Sequence, residues 1–193
     1  QCCEDFALMR SIPGMVVINP SDDVEAKAAV KAAIDYKGPV YLRFGRLAVP
    51  VYNDPATYKF EMGKGVTLRE GKDLTIVATG LMVWEAVQAA VVLAREGISA
   101  RVINIHTIKP LDEELICKAA AETGKLLTVE EHSVIGGLGS AVCDAVCAKV
   151  PCVVKKIGVE DTFGCSGPAP ELLRRFGLTA EHIIEAARAM ARR

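Results

Sequence analysis

At 193 residues, with 51% hydrophobic and 24% charged side chains, the chain is long enough for one good core plus a remainder. A formal net charge of -1 gives no electrostatic reason to expect nucleic acid or an anionic membrane as a partner. The longest apolar run, Ala89 to Ala94, is flanked by Gln88 and Arg95 and falls far short of a bilayer span, so no membrane passage is expected.

The chain opens QCCEDF, without methionine and without the basic-then-apolar pattern of a secretory signal, which reads as a chain cut from something longer. Its seven cysteines, an odd number, lie mostly within helical or strand patterns and read as reduced, cytosolic thiols. Cys143 and Cys147 stand four apart on one helix face with Cys152 close behind. No CxxC pair or nearby histidine completes a thiolate metal site there, and packing is the favoured reading.

Taken in order, Glu4 to Arg10 reads as a short helix stopped by Pro13-Gly14, and Met15 to Ile18 as a buried strand ended by Asn19-Pro20. Ser21 is a suitable N-cap, with Asp22 and Asp23 at the positive end of a helix running to Lys37. Gly38-Pro39 breaks it before a strand at Val40 to Phe44. This strand, helix, strand unit is the crossover that parallel sheets require. From Gly45 to Gly65 the periodicity lapses, and the scattered Tyr52, Tyr58 and Phe60 suggest an ordered surface connector.

From Asp73 the alternation is regular: strands at Leu74 to Thr79, Ala100 to Ile105, Leu126 to Val129 and Val153 to Ile157. Helices are expected at Val83 to Glu96, from Pro110 to a stop at Gly124, and at Leu138 to Lys149. Shorter helices follow at Glu171 to Phe176 and from the cap Thr179 to Arg192. The fold class is α/β: a three-layer α/β/α C-terminal domain around a mostly parallel, five-stranded sheet, preceded by a truncated α/β domain. The boundaries are 1–46 for the truncated domain, 47–66 for the connector and 67–193 for the C-terminal domain.

The stretch Lys125 to Ser140, KLLTVEEHSVIGGLGS, brings Glu130, Glu131 and His132 to the C-terminal end of a buried strand, where ligands of open parallel sheets are usually met. These three can do acid/base work, and Gly136, Gly137 and Gly139 can offer backbone N–H groups to an anion at a helix start. The blander alternative, turn-forming glycines and a solvated or interfacial charged pair, is favoured. Arg43 and Arg46 follow the strand at Val40; either can fork two donors onto a phosphate, and a structural ion pair is as good a reading. Cys165, in DTFGCSGP, has no histidine nearby in sequence to activate it as a nucleophile. His106 and His182 read as packing or surface histidines, and Trp84 as core or interface.

Several stretches together resemble the C-terminal part of a transketolase. They are Glu4 to Arg10 with Ile12 to Met15, Pro20-Ser21-Asp22 with Glu25, and Gly38-Pro39-Val40 leading to Arg46. Ile108 to Asp112, Thr128 to His132 with Gly136 to Gly139, and Asp161 to Gly164 with Ser166-Gly167 extend the likeness over nearly the whole chain. The middle motifs are shared with deoxyxylulose phosphate synthases and with the β subunits of 2-oxo acid dehydrogenases; EDFALMR, IPGM and DTFG tilt the choice to transketolase.

The resemblance makes residues 1–46 the remnant of the pyrimidine-binding domain. It implies a transferase of the pentose phosphate pathway that moves two-carbon ketol units between sugar phosphates on thiamine diphosphate, with a divalent metal, Mg²⁺, holding the diphosphate. The cofactor does the carbanion chemistry and the protein positions it. It further implies a cytoplasmic homodimer and, as partner, the N-terminal diphosphate-binding domain or subunit of the same enzyme. Of the family's substrate residues only the phosphate-binding arginine carries over, onto Arg46, while Gln1 matches the residue just after a substrate-contacting histidine. The chain alone is expected to bind no cofactor and to be inactive, serving domain docking and dimer support. Cys165 stands where a glutamate is common in DTFGESG-like stretches. A free-standing regulatory module binding small anions at Gly136 to Ser140 is the alternative from another class.

Overall fold

A computed structural model describes residues 2–192. The elements run α1 (Asp5–Ser11), β1 (Val16–Ile18), α2 (Asp23–Asp35), β2 (Val40–Leu42), β3 (Val66–Arg69), β4 (Leu74–Ala78), α3 (Met82–Arg95) and β5 (Ala100–Asn104). They continue with β6 (Thr107–Lys109), α4 (Glu113–Thr123), β7 (Lys125–Ser133), α5 (Leu138–Lys149), β8 (Val153–Val159), α6 (Ala169–Arg175) and α7 (Ala180–Ala191).

The larger sheet has five strands in the order β3-β5-β4-β7-β8, with β3 antiparallel to β5 and the other pairs parallel. Strand periodicity sorts its side chains onto two faces. Leu74, Ile76 and Ala78 of β4 pack with α3 and α7, whereas Val77 of the same strand packs with α4 and α5. The sheet therefore sits between two helical layers, the expected three-layer α/β/α arrangement.

The smaller sheet is β2-β1-β6. Val16, Val17 and Ile18 of β1 run parallel to Val40, Tyr41 and Leu42, the two strands joined by α2 as expected. On the other side β6, drawn from the middle of the chain, pairs antiparallel to β1. Neither β3 nor β6 was expected from the sequence. At three or four residues each, they carry too little alternation for a period to show, and their pairing partners lie far away in the chain.

Two caps differ in detail from expectation. Asp22, not Ser21, is the N-cap of α2, its Oδ1 accepting from the Glu25 N–H at 2.9 Å. Ser21 is part of the same arrangement, its N–H and hydroxyl both donating to Glu25 Oε2 at 2.7 Å, a variant of the capping box. Thr179 occupies the N-cap of α7, but its hydroxyl meets His182 Nδ1 at 2.9 Å rather than a first-turn amide. Helix α2 ends at Asp35, with Tyr36 already extended ahead of Gly38-Pro39.

Candidate functional site at the carboxyl ends of the strands

The C-terminal end of β7 distributes its polar residues by strand parity. Even-numbered side chains turn toward α5 and odd-numbered ones toward the opposite face, so Glu130 and His132 separate from Glu131.

Glu130 is completely buried, and its carboxylate accepts from Leu138 N–H at 2.6 Å and Gly139 N–H at 2.8 Å. Helix α5 has no cap from its own N-cap residue, Gly137; the preceding strand supplies the anion that its orphan donors need. Close approach requires Gly137 to be glycine, since a Cβ there would collide with the Glu130 carboxylate and the His132 ring. The turn before it uses Gly136 at φ +77°. Of the candidate amides for an external anion, Gly136 N–H instead donates to Ser140 Oγ at 2.9 Å, while Gly139 N–H, together with Leu138 N–H, holds Glu130. Burial pushes the Glu130 carboxyl up to about 7 against the opposing pull of those two amides.

His132 is also fully buried, and its hydrogen bonds fix its tautomer. Nε2 accepts from Phe6 N–H at 3.0 Å and Ala7 N–H at 3.4 Å, so Nδ1 carries the proton and donates to Ser133 O at 2.7 Å. The ring stacks on Phe6 with centroids 4.7 Å apart, and burial holds its pKa below the usual value. A neutral imidazole saturated in this way joins α1 to β7. Arg10 reinforces the join by donating to the carbonyls of Gly136 and Gly137, the latter at 3.0 Å, and Lys109 Nζ holds the carbonyls of Arg10 and Ile12.

Glu131 faces a cleft of about 630 Å³. Arg43 lies across it, with Nη1 3.2 Å from Glu131 Oε2 and Nε 3.4 Å from Asp5 Oδ2, and with its guanidinium 4.9 Å from the centre of the Phe6 ring. Asp5 also accepts from the Tyr41 hydroxyl at 2.9 Å; burial first, and then this bond, raise that phenol to about 12. Arg43 therefore takes the structural ion-pair role. Arg46, three residues on, is exposed at the same cleft, and no ion pair to it exists among the described residues. Val159, Leu172, Leu173 and Leu178 contribute apolar lining to the cleft, which Cys2, Cys3, Cys165 and Ser166 also line. Gln1 lies outside the described residues.

A second polar cluster ties α2 to the connector and to β5. Glu25, fully buried, accepts from Ser21, from Asn104 Nδ2 at 2.8 Å and from the Tyr58 hydroxyl. Asp22 Oδ2 accepts from the backbone N–H groups of Tyr52 (3.1 Å) and Asn53 (2.9 Å). Tyr52 stacks on Trp84 at 6.0 Å, and His106 lies buried against Phe60 at 4.3 Å, burial lowering its pKa. His182 is exposed. Among the described residues no group of three or more His, Cys, Asp or Glu is placed to hold a metal ion, so no step is assigned here to a metal or to a metal-held diphosphate. No helix of the described residues is long and apolar enough to cross a membrane.

Comparison with known proteins agrees with this architecture. The family description "Transketolase, C-terminal domain" matches residues 63–183, and "Transketolase, pyrimidine binding domain" matches residues 1–51. The chain is 45% identical over 190 residues to the 6-deoxy-6-sulfo-D-fructose transketolase subunit SqwH of a Clostridium species, covering 98% of this chain and 59% of that protein. It is 43% identical over 183 residues to one subunit of the apulose-4-phosphate transketolase of Phocaeicola vulgatus, covering 95% of this chain and 58% of that protein. A solved structure described as a split gene transketolase, inactive beta4 tetramer, superposes with a TM-score of 0.95 at 47% identity, over 99% of this chain and 62% of that one. The chain thus spans about three-fifths of the length of these three relatives, and it belongs to the transketolase family.

Proposed function

We propose that this chain is the C-terminal portion of a thiamine-diphosphate-dependent transketolase that moves two-carbon ketol units between anionic sugars. The N-terminal diphosphate-binding domain or subunit supplies the cofactor and Mg²⁺ site, and the chain alone is not competent. Residues 1–46 are the remnant of the pyrimidine-binding domain, 47–66 the connector and 67–193 the C-terminal domain. We assign the assembly to the cytoplasm, built on a homodimer; one solved relative forms a tetramer of its own kind and is described as inactive.

The observation that carries this reading is Arg46. Unlike Arg43, which Asp5 and Glu131 hold, it is exposed at the cleft with no ion pair among the described residues. A guanidinium fork fits the terminal oxygens of a phosphate or a sulfonate equally well, and relatives are named for a sulfo sugar and a sugar phosphate. In the complete enzyme, Arg46→Ala should raise KM for phosphorylated substrates on the order of 10- to 100-fold, the loss of one or two charge-assisted hydrogen bonds, with a smaller effect on kcat. An unchanged KM removes the assignment.

A further inference from the structure

The 630 Å³ cleft is divided in its chemistry. Its charged lining is Arg43, Arg46 and Glu131. Arg43 is held by Asp5 and Glu131, so the exposed Arg46 is left without a counter-charge among the described residues.

The apolar lining comes mainly from α6 and the residue that closes it. Ala169, Leu172, Leu173 and Phe176 recur at the i, i+3, i+4, i+7 spacing of one helix face, and all four line the cleft and are half-buried. The intervening Pro170, Glu171, Arg174 and Arg175 are exposed. Val159 and Leu178, 3% and 2% exposed, continue the apolar surface. A sugar phosphate can use Arg46 but gains little from this stripe, because hydroxyls laid against it would lose water without finding a partner. A concave site of this volume, apolar over one part and carrying a few placed polar groups, has the character of a small-molecule pocket.

We propose that the cleft binds an amphipathic monoanion: a small molecule with one carboxylate or sulfonate on an aromatic or branched aliphatic body. The anionic group takes the guanidinium fork of Arg46, and the body covers the α6 stripe and removes it from water. A single negative charge fits, because Glu131 lines the same cleft and repels a second. Such a ligand competes with substrate for Arg46. Only that consequence rests on the function proposed above; the binding itself does not.

The test titrates anilinonaphthalene sulfonate, whose fluorescence rises when its aromatic body leaves water, into the intact protein alone and in complex with the N-terminal diphosphate-binding portion. Saturable one-site binding is expected in both. Arg46→Ala and Leu172→Gln should each weaken it roughly tenfold, and the uncharged N-phenylnaphthylamine should bind roughly tenfold more weakly than the sulfonate. Leu172 is the wall residue to change because Leu173 and Phe176 also pack on the core and Leu172 does not; melting curves verify that the variants fold. Ile34→Gln, at an apolar residue 76% exposed and outside the cleft, should leave binding unchanged. Unweakened binding by Arg46→Ala or Leu172→Gln, or equal affinity for the uncharged probe, would overturn the proposal. So would binding that the N-terminal portion abolishes, which would make the cleft a seam between the two. Probe affinity lost in Arg46→Ala together with an unaltered substrate KM would fault the substrate assignment and leave this site standing; a raised KM with unaltered probe affinity would do the reverse.

Discussion

Glu130 and Glu131 are neighbours in sequence with separate roles, because a strand turns successive side chains to opposite faces. Glu131 meets Arg43 at the cleft, while Glu130 closes the start of α5 from inside the core. The cost of burying Glu130 is legible in its pH behaviour. Its carboxyl is raised from the ordinary 4.5 to about 7, so between those values the folded protein holds a proton that the unfolded chain releases. Stability from this group is therefore fully present below about pH 4.5 and declines as pH rises to about 7, by roughly 3 kcal/mol across the window. His132 has the opposite sign, since its lowered pKa favours the neutral ring and stabilises the fold as pH rises. Glu130→Gln removes only the first contribution. Urea midpoints at about pH 5 and pH 7 should fall further with rising pH in the natural protein than in the variant; parallel changes would show that Glu130 stays ionised throughout.

At the scale of elements, polar side chains from one segment complete the ends of another. Glu130 on β7 caps α5, and Asp22 caps α2 with one oxygen while holding the connector at Tyr52 and Asn53 with the other. Asp22→Ala loses a cap and leaves two further amides unsatisfied. It should cost about 2 kcal/mol and loosen residues 51–53, seen as faster amide exchange there than in Asp22→Asn. Equal exchange in the two variants would limit Asp22 to its helix. The run PSDDVE showed that a helix begins here, but Ser21 and Asp22 are both good caps, and the choice turned on connector amides about thirty positions away. The order β4, α3, β5, α4, β7, α5, β8 was legible because each element is long enough to show its period. The short strands β3 and β6 were not, since tertiary pairing rather than local pattern makes them strands.

For the molecule as a whole, the candidate site lies where the N-terminal segment, the end of β2, the end of β7 and the segment after β8 converge. The sequence singled out Arg43, Arg46, Glu131 and Cys165 separately; their assembly at one cleft follows from the topology. It could not divide the work of the two arginines, because Asp5 and Glu131, which claim Arg43, are distant in the chain. Glu130 and His132, plausible as acid/base groups on paper, are consumed by α5 and α1. Among the described residues, the arginine-bearing cleft stays open to solvent, and the substrate role proposed for Arg46 rests on it.

The most direct measurement mixes the protein with thiamine diphosphate, Mg²⁺, xylulose 5-phosphate and ribose 5-phosphate, with and without the N-terminal diphosphate-binding portion, and follows seven-carbon sugar phosphate. Product only in the complemented mixture is the expected result. Product from this chain alone would contradict the account, and no product from a verified complex would direct the search to synthase or dehydrogenase chemistry on the same fold.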